Sequence, residues 1–112
     1  MSDRAMQEPT LLLLTALADE PRHGYAIARE VEKISGGRVT MRTGTLYGAL
    51  ERLLQQELIE VHKEEVVESR LRRTYTLTSA GRQVLAAEAE RMVATAHEAT
   101  RRLGAAGEAA TA

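Results

Sequence analysis

The stretch Arg42-Thr43-Gly44-Thr45-Leu46-Tyr47-Gly48-Ala49-Leu50-Glu51-Arg52-Leu53-Leu54-Gln55-Gln56-Glu57-Leu58-Ile59 decides the fold. Its apolar residues recur at steps of three and four, which predicts one amphipathic helix with a single apolar face. The residues of that face are Leu46, Ala49, Leu50, Leu53 and Leu54. The opposite face carries Tyr47, Gly48, Glu51, Arg52 and Gln55. Its polar groups can reach phosphates or base edges, so we expect this helix to enter DNA.

The first residues of this stretch suit an anion. The hydroxyls of Thr43 and Thr45 can cap free backbone N–H groups. A helix that opens with Thr-Gly-Thr also presents N–H groups and the positive end of its dipole, which favour a phosphate. We expect both threonines to cap the helix and contact phosphate; the alternative is that they only cap.

Composition limits the classes of function. At 112 residues and 12.3 kDa the chain predicts one small domain with an appendage. It has no Cys, which excludes disulfides, thiolate metal sites and cysteine nucleophiles. Its His residues are scattered, and it contains no P-loop or dinucleotide fingerprint. We therefore expect no catalytic residue, no cofactor and no metal. No apolar run approaches a membrane span, and residues 1–9 do not resemble a secretion signal, so we expect a cytoplasmic protein without a membrane partner.

The net charge of −1 is unusual for a nucleic-acid-binding domain. The positions of the basic residues favour nucleic-acid binding more than the net charge does. Arg70, Arg72 and Arg73 form a compact cluster, and Arg38, Arg42 and Arg52 lie in or just before the helix described above. Almost all the basic residues are arginines, which contact phosphate and guanine in bidentate fashion. A positive surface on a nearly neutral protein is therefore plausible.

Two helices precede the amphipathic one. The run after Pro9, up to Ala18, lacks periodicity and suits a buried strand or a buried helix, but its Leu and Ala favour helix. A second helix is predicted at Gly24–Ile34, with an apolar face, and a Ser-Gly-Gly sequence ends it. That face consists of Ile27, Val31 and Ile34. A short strand is predicted at Arg38–Met41.

After Leu58 the period becomes alternating, which predicts an antiparallel hairpin. One strand starts at Ile59 and includes Lys63, the tip lies near residues 66–69, and the partner strand spans residues 71–77. Helix-forming residues then run from the Thr-Ser-Ala-Gly sequence at 78–81 to about Leu103, with a heptad seam suited to a second copy of the helix. The seam consists of Leu85, Ala89, Met92, Ala96, Ala99 and Leu103.

Together these elements predict a mainly α fold with a small β-hairpin, a winged helix-turn-helix followed by a long C-terminal dimerisation helix. The expected organisation is a DNA-binding domain at 9–78, a dimerisation helix at 79–103, and flexible ends at 1–8 and 104–112. One such unit makes few DNA contacts, so two copies on a two-fold axis would add their binding energies.

The chain also resembles the PadR-like transcriptional regulators. The matching segments are His23-Gly24-Tyr25-Ala26-Ile27, Thr43-Gly44-Thr45-Leu46-Tyr47, Leu58-Ile59-Glu60 and residues 72–82, Arg-Arg-Thr-Tyr-Thr-Leu-Thr-Ser-Ala-Gly-Arg. The resemblance implies a homodimeric repressor that binds a double-stranded DNA operator and is released by a small-molecule effector. Three features depart from the family pattern: Gly48 replaces a frequent Pro, Glu57 replaces a frequent Gly, and the hairpin tip has no Gly.

The expected DNA-binding residues are Tyr25, Arg42, Thr43, Thr45, Tyr47, Arg52, Gln55, Lys63, Arg70, Arg72 and Arg73. Tyr25 and Tyr47 could instead be partly buried rings, and Arg52 and Gln55 could be solvated surface. Glu51 could accept from a cytosine amino group or pair with neighbours and point away. The alternative function is a winged-helix adaptor that binds proteins and not DNA. A weaker alternative is a role dominated by ligand sensing.

Overall fold

The computed structural model describes residues 6–111, which form four helices and a three-stranded sheet. The order along the chain is α1 (Glu8–Ala16), β1 (Arg22–His23), α2 (Gly24–Ile34), α3 (Thr43–Gln55), β2 (Ile59–Val67), β3 (Arg70–Leu77) and α4 (Ser79–Thr111). The predicted fold class, a winged helix-turn-helix with a long C-terminal helix, is confirmed. In this part of the chain no helix is long and apolar enough to cross a membrane.

The core lies between α1, α2, α3 and the base of the sheet. Helix α1 is buried on several sides, as its unbroken apolar sequence predicts, and its leucines pack against the apolar stripes of α2 and α3. Ile34 is an exception to the predicted face of α2, because it remains 43% exposed at the end of the helix. The buried apolar residues are Leu12, Leu13, Leu14, Ala16, Leu17, Ile27, Val31, Leu46, Ala49, Leu50, Leu53, Ile59, Tyr75 and Leu77.

The sheet has the order β1-β3-β2 and is antiparallel throughout. The hairpin of β2 and β3, called the wing below, places Ile59 opposite Leu77 at its base and Val67 opposite Arg70 at its tip. A bulge between Val61 and Lys63 shifts the register, so the strict alternation predicted for this strand breaks there. The base of the wing is buried in the core through Ile59, Tyr75 and Leu77, and the remainder projects into solvent.

Two turns place acidic or polar residues in the left-handed region. At the tip of the wing Glu68 and Ser69 have φ of 52° and 65°, as a two-residue hairpin loop of type I′ requires. After α3, Glu57 has φ of 59°. This residue occupies the position where the family often has Gly and adopts the left-handed conformation itself, at an intrinsic cost of about 1–2 kcal/mol.

The strand predicted at Arg38–Met41 is wrong. This segment has no regular secondary structure and pairs with no strand of the sheet. The outer edge of β3 is instead occupied by β1, where Arg22 lies opposite Tyr75 and His23 opposite Thr74. The side chain of Ser35 holds this segment near the end of α2, since Ser35 Oγ accepts from the Val39 N–H at 3.0 Å.

Helix α4 begins where the Thr-Ser-Ala-Gly sequence predicted. Thr78 Oγ1 accepts the N–H of Gly81 at 3.0 Å and donates to the carbonyl of Glu57 at 2.7 Å, which joins the start of α4 to the end of α3. The helix runs to Thr111, beyond the expected end at Leu103, so the predicted flexible segment from residue 104 is helical as far as 111. At the other end, Glu8 belongs to α1, and residues 1–5 lie outside the described part of the chain, as does residue 112.

Candidate nucleic-acid interface

The outward face of α3 carries few large side chains. Gly44 and Gly48 lie one turn apart on it, and a Cβ at either position would meet no atom within 4 Å. Glu51, Arg52 and Gln55 continue the same exposed surface toward the end of the helix. The backbone of the first two turns can therefore approach another molecule closely.

The predicted capping by Thr43 and Thr45 is wrong. The N-cap residue of α3 is Arg42, in an extended conformation, and no side chain caps the helix. The threonines are exposed and already within the helix, one and three residues beyond the cap. The first N–H groups of α3 consequently have no side-chain acceptor, and the positive end of its dipole faces outward.

Ion pairing divides the basic residues into two groups. Within the described residues, Arg22, Arg38, Lys63, Arg73, Arg91, Arg101 and Arg102 have carboxylate partners, and Arg82 donates to the carbonyl of Ala18. Six basic residues in the same part of the chain have no such partner: Arg29, Lys33, Arg42, Arg52, Arg70 and Arg72. Apart from Lys33, at the end of α2, and Arg29, they belong to α3, its N-cap and the wing.

Two of the expected DNA-binding residues are engaged within the wing. Arg73 Nε donates to Glu64 Oε2 at 2.7 Å, and this carboxylate raises the pKa of the guanidinium. Lys63 Nζ lies 3.6 Å from Glu65. Arg38 is similarly held by Glu8, whose own pKa is lowered by the bond. The charges of Arg73, Lys63 and Arg38 are therefore partly neutralised. Within the wing, the positive charge without a carboxylate partner is that of Arg70 and Arg72.

An open cleft of about 540 Å³, here called the wing cleft, separates the start of α2 from the wing. Tyr25, 69% exposed, and Tyr47, 47% exposed, line it. The Tyr47 ring lies against Gly24, where a Cβ would be 2.5 Å from Tyr47 Oη, so only Gly permits this packing. Tyr47 is thus half-buried with an accessible edge. The residues that line the cleft are His23, Gly24, Tyr25, Tyr47, Val67, Glu68, Arg70, Leu71, Arg72, Arg73 and Tyr75.

Sequence reasoning missed two residues beside this cleft. His23 caps α2, because its Nδ1 accepts the N–H of Ala26 at 3.3 Å. Burial lowers the pKa of His23, and the charges of Arg72 and Arg29 lower it further, with Glu65 acting in the opposite direction. The guanidinium of Arg29 lies 5.2 Å from the centroid of the Tyr25 ring. The four-residue spacing of Tyr25 and Arg29 on one helix was the available signal.

The predicted dimerisation seam lies mostly in solvent in the single chain. Leu85 packs against the core of its own chain, whereas Met92 and Leu103 are 49% and 74% exposed. Ala89, Ala96 and Ala99 are exposed along the same side. Val93, outside the seam, is 69% exposed as well. No group of three or more His, Cys, Asp or Glu in the described chain is arranged to hold a metal ion.

Comparison with known proteins agrees with this geometry. Residues 13–87 match the model of the transcriptional regulator PadR-like family. An uncharacterized 37.1 kDa protein in transposon TN4556 of Streptomyces fradiae is 44% identical over 82 residues. That match covers 73% of this chain but 22% of the Streptomyces protein, so this chain corresponds to only a part of that relative.

Solved structures show the same fold. A PadR family transcription regulator from Clostridium difficile R20291 superposes with a TM-score of 0.71 at 21% identity, over 87% of this chain and 99% of that one. Bacillus subtilis PadR, solved in complex with operator DNA, superposes with a TM-score of 0.63 at 21% identity. The latter match covers 70% of this chain and 46% of the Bacillus protein.

Proposed function

This chain belongs to the PadR-like family of transcriptional regulators, which are not enzymes, and from that premise we propose that it is a homodimeric, sequence-specific DNA-binding repressor. The proposed organisation keeps the winged helix-turn-helix at 9–78 as the DNA-binding domain and α4 as the dimerisation helix. Cytoplasmic localisation belongs to the same proposal, because a repressor acts where its operator is.

The proposal that DNA is the partner rests on where the basic residues without a carboxylate partner lie. Arg42 and Arg52 flank the exposed face of α3, and Arg70 and Arg72 lie on the wing, all without a carboxylate partner in the described chain. The net charge of −1 is therefore misleading, since ion pairs absorb much of the positive charge elsewhere. A surface of this kind suits a polyanion.

The proposed binding mode follows from the fold. Helix α3 enters a major groove, where Arg52 and Gln55 reach base edges. Its uncapped N-terminus, with Arg42, Thr43 and Thr45, faces a phosphate. The wing lies along the backbone through Arg70 and Arg72, with Lys63 and Arg73 nearby. The complex of Bacillus subtilis PadR with operator DNA supports this partner for the fold.

The homodimer is supported by the exposed apolar side of α4, which a monomer would leave in water. Two copies joined by this helix would present two reading helices, which bind half-sites about 34 Å apart when they are spaced by one turn of DNA. Repression, and release by a small-molecule effector or another signal, rest on the family alone.

The test removes the two arginines of the wing that have no carboxylate partner. In the double variant Arg70→Ala with Arg72→Ala, the slope of log K against log salt concentration for binding to a random-sequence 30-bp duplex should fall in magnitude by about 1.8 for each engaged protomer. Binding near 0.15 M salt should weaken about 30-fold. Fluorescence anisotropy across a salt series measures both quantities.

The matched control is Arg101→Ala with Arg102→Ala, which removes the same charge from α4, where both arginines pair with Glu98. The control should bind as wild type does. Equal losses in the two variants would contradict a wing contact. If the wild-type protein binds no duplex even at low salt, the alternative of a protein–protein adaptor is favoured.

A further inference from the structure

We propose that a backbone phosphate of the duplex binds in the wing cleft between His23, at the start of α2, and Arg72 of the wing, with Arg29 beside the cleft. This inference rests on the proposed function, because it assigns the ligand of the same surface. It gives DNA-contacting roles to His23 and Arg29, whereas Tyr25 is the only residue of α2 among the expected DNA-binding residues.

His23 offers the cleft a defined hydrogen-bond donor. Its Nδ1 accepts the N–H of Ala26 and so carries no proton, which leaves the proton of the neutral ring on Nε2. The lowered pKa keeps the imidazole neutral near pH 7. The ring lines the wing cleft, so Nε2–H is the group that remains for a ligand, and a phosphate oxygen is a suitable acceptor.

Two guanidinium groups lie near this histidine: Arg72 lines the wing cleft, and Arg29 lies over the ring of Tyr25, which also lines it. Arg29 and Arg72 both lie close enough to lower the pKa of His23, although they belong to different elements, α2 and β3. Neither has a carboxylate partner in the described chain, and the Tyr25 ring holds Arg29 over its face. Glu65 opposes them only weakly and is itself 3.6 Å from Lys63. A DNA phosphate in the wing cleft would contact Arg72 and would also be attracted by the charge of Arg29.

The first test neutralises Arg29 while keeping its stem, with Arg29→Gln. The matched control is Lys33→Gln, which removes the same charge from α2 about 6 Å further along the helix axis from His23 than Arg29. For each engaged protomer, Arg29→Gln should weaken binding to a random-sequence 30-bp duplex about five-fold near 0.15 M salt. It should also lower the magnitude of the slope of log K against log salt concentration by about 0.9. Lys33→Gln should leave the slope unchanged.

The second test uses His23→Ser, which keeps a side-chain acceptor for the N-cap but removes the ring donor. Its melting temperature should stay near that of wild type, and its affinity for the duplex should fall about three- to tenfold. In wild-type protein, NMR should show the imidazole resonances of His23 shifting on addition of duplex, whereas those of His97 on α4 do not.

The outcomes separate the two proposals. If wild type binds duplex but Arg29→Gln matches Lys33→Gln and the His23 resonances do not move, the phosphate contact at α2 is overturned and the helix–wing interface stands. If His23→Ser unfolds, the Arg29 pair of variants and the wild-type resonances still decide the question. If wild type binds no duplex, the proposed function itself is rejected.

Discussion

At the scale of single residues, glycines show that the same residue type serves opposite purposes. Gly81 is required by packing, because a Cβ there would lie 2.0 Å from the carbonyl oxygen of Leu58, at the junction of α3 and α4. Gly24 is required by the Tyr47 ring. Gly48 has no such neighbour within the chain, although it lies inside a helix, where Gly is unfavourable. We therefore expect Gly48 to matter at the proposed DNA surface and not for the stability of the fold.

Alanine at Gly48 and at Gly81 should act in opposite directions. Gly48→Ala should stabilise the fold by about 0.5–1 kcal/mol, because Ala is the better helix former and meets no neighbour. Gly81→Ala should destabilise it by about 1–3 kcal/mol, because backbone must move to admit the Cβ. Urea unfolding followed by circular dichroism measures both. Destabilisation by Gly48→Ala would show that this face of α3 is packed in solution.

At the scale of elements, the wing is held by few contacts and its charges are arranged in cross-strand pairs. Only its base, through Ile59, Tyr75 and Leu77, enters the core. Further out, Glu64 lies opposite Arg73 and holds it, whereas Arg72 lies opposite Glu65 without forming an ion pair. The wing therefore carries less available positive charge than its sequence suggests, and Glu64 limits its proposed affinity for DNA.

Glu64→Gln should strengthen DNA binding. The change removes a negative charge beside the phosphates and releases Arg73 from its ion pair. We expect about a five-fold gain in affinity near 0.15 M salt and a steeper salt dependence for each engaged protomer. The control is Glu90→Gln, an exposed acid on α4 without an ion pair in the described chain. Unchanged or weaker binding by Glu64→Gln would indicate that the ion pair positions the wing and does not restrain Arg73.

At the scale of the whole molecule, the chain is elongated. Its extents are 68 × 32 × 22 Å and its radius of gyration is 17.6 Å, compared with about 13 Å for a compact chain of this length. The difference comes from α4, whose residues from Ala89 to Gly107 are all exposed except Glu98. A small core and a long solvent-exposed helix with apolar residues are what a chain that associates would show.

Met92→Asp should disrupt the proposed dimer. Met92 lies in the middle of the heptad seam, so the substitution would bury a charge between protomers and raise the dimer dissociation constant by about 100-fold or more. Ala94→Asp adds the same charge on the opposite side of the helix and should have little effect. Light scattering and sedimentation across a concentration series measure the change. A dimer of unaltered affinity in Met92→Asp would exclude this seam as the interface.

The sequence by itself determined the helices, the hairpin and the start of α4, because the underlying signals are local. Apolar steps of three and four residues specified the buried face of α3, and Gly36 and Gly37, with φ of 65° and 84°, ended α2 as predicted. The hydroxyl of Thr78 capped α4. Such signals involve residues within one or two turns of each other, so they can be read without the rest of the fold.

Only the tertiary structure decided which charges remain available and which short segments pair. Arg38 meets Glu8, thirty positions away in the chain, while Arg29 and Arg72 approach His23 from different elements. The third strand proved to be the two residues Arg22–His23, too short to show a period, and not the β-prone segment Arg38–Met41. Ion pairs and sheet edges depend on which residues the folded chain brings together, and no local pattern records those distances.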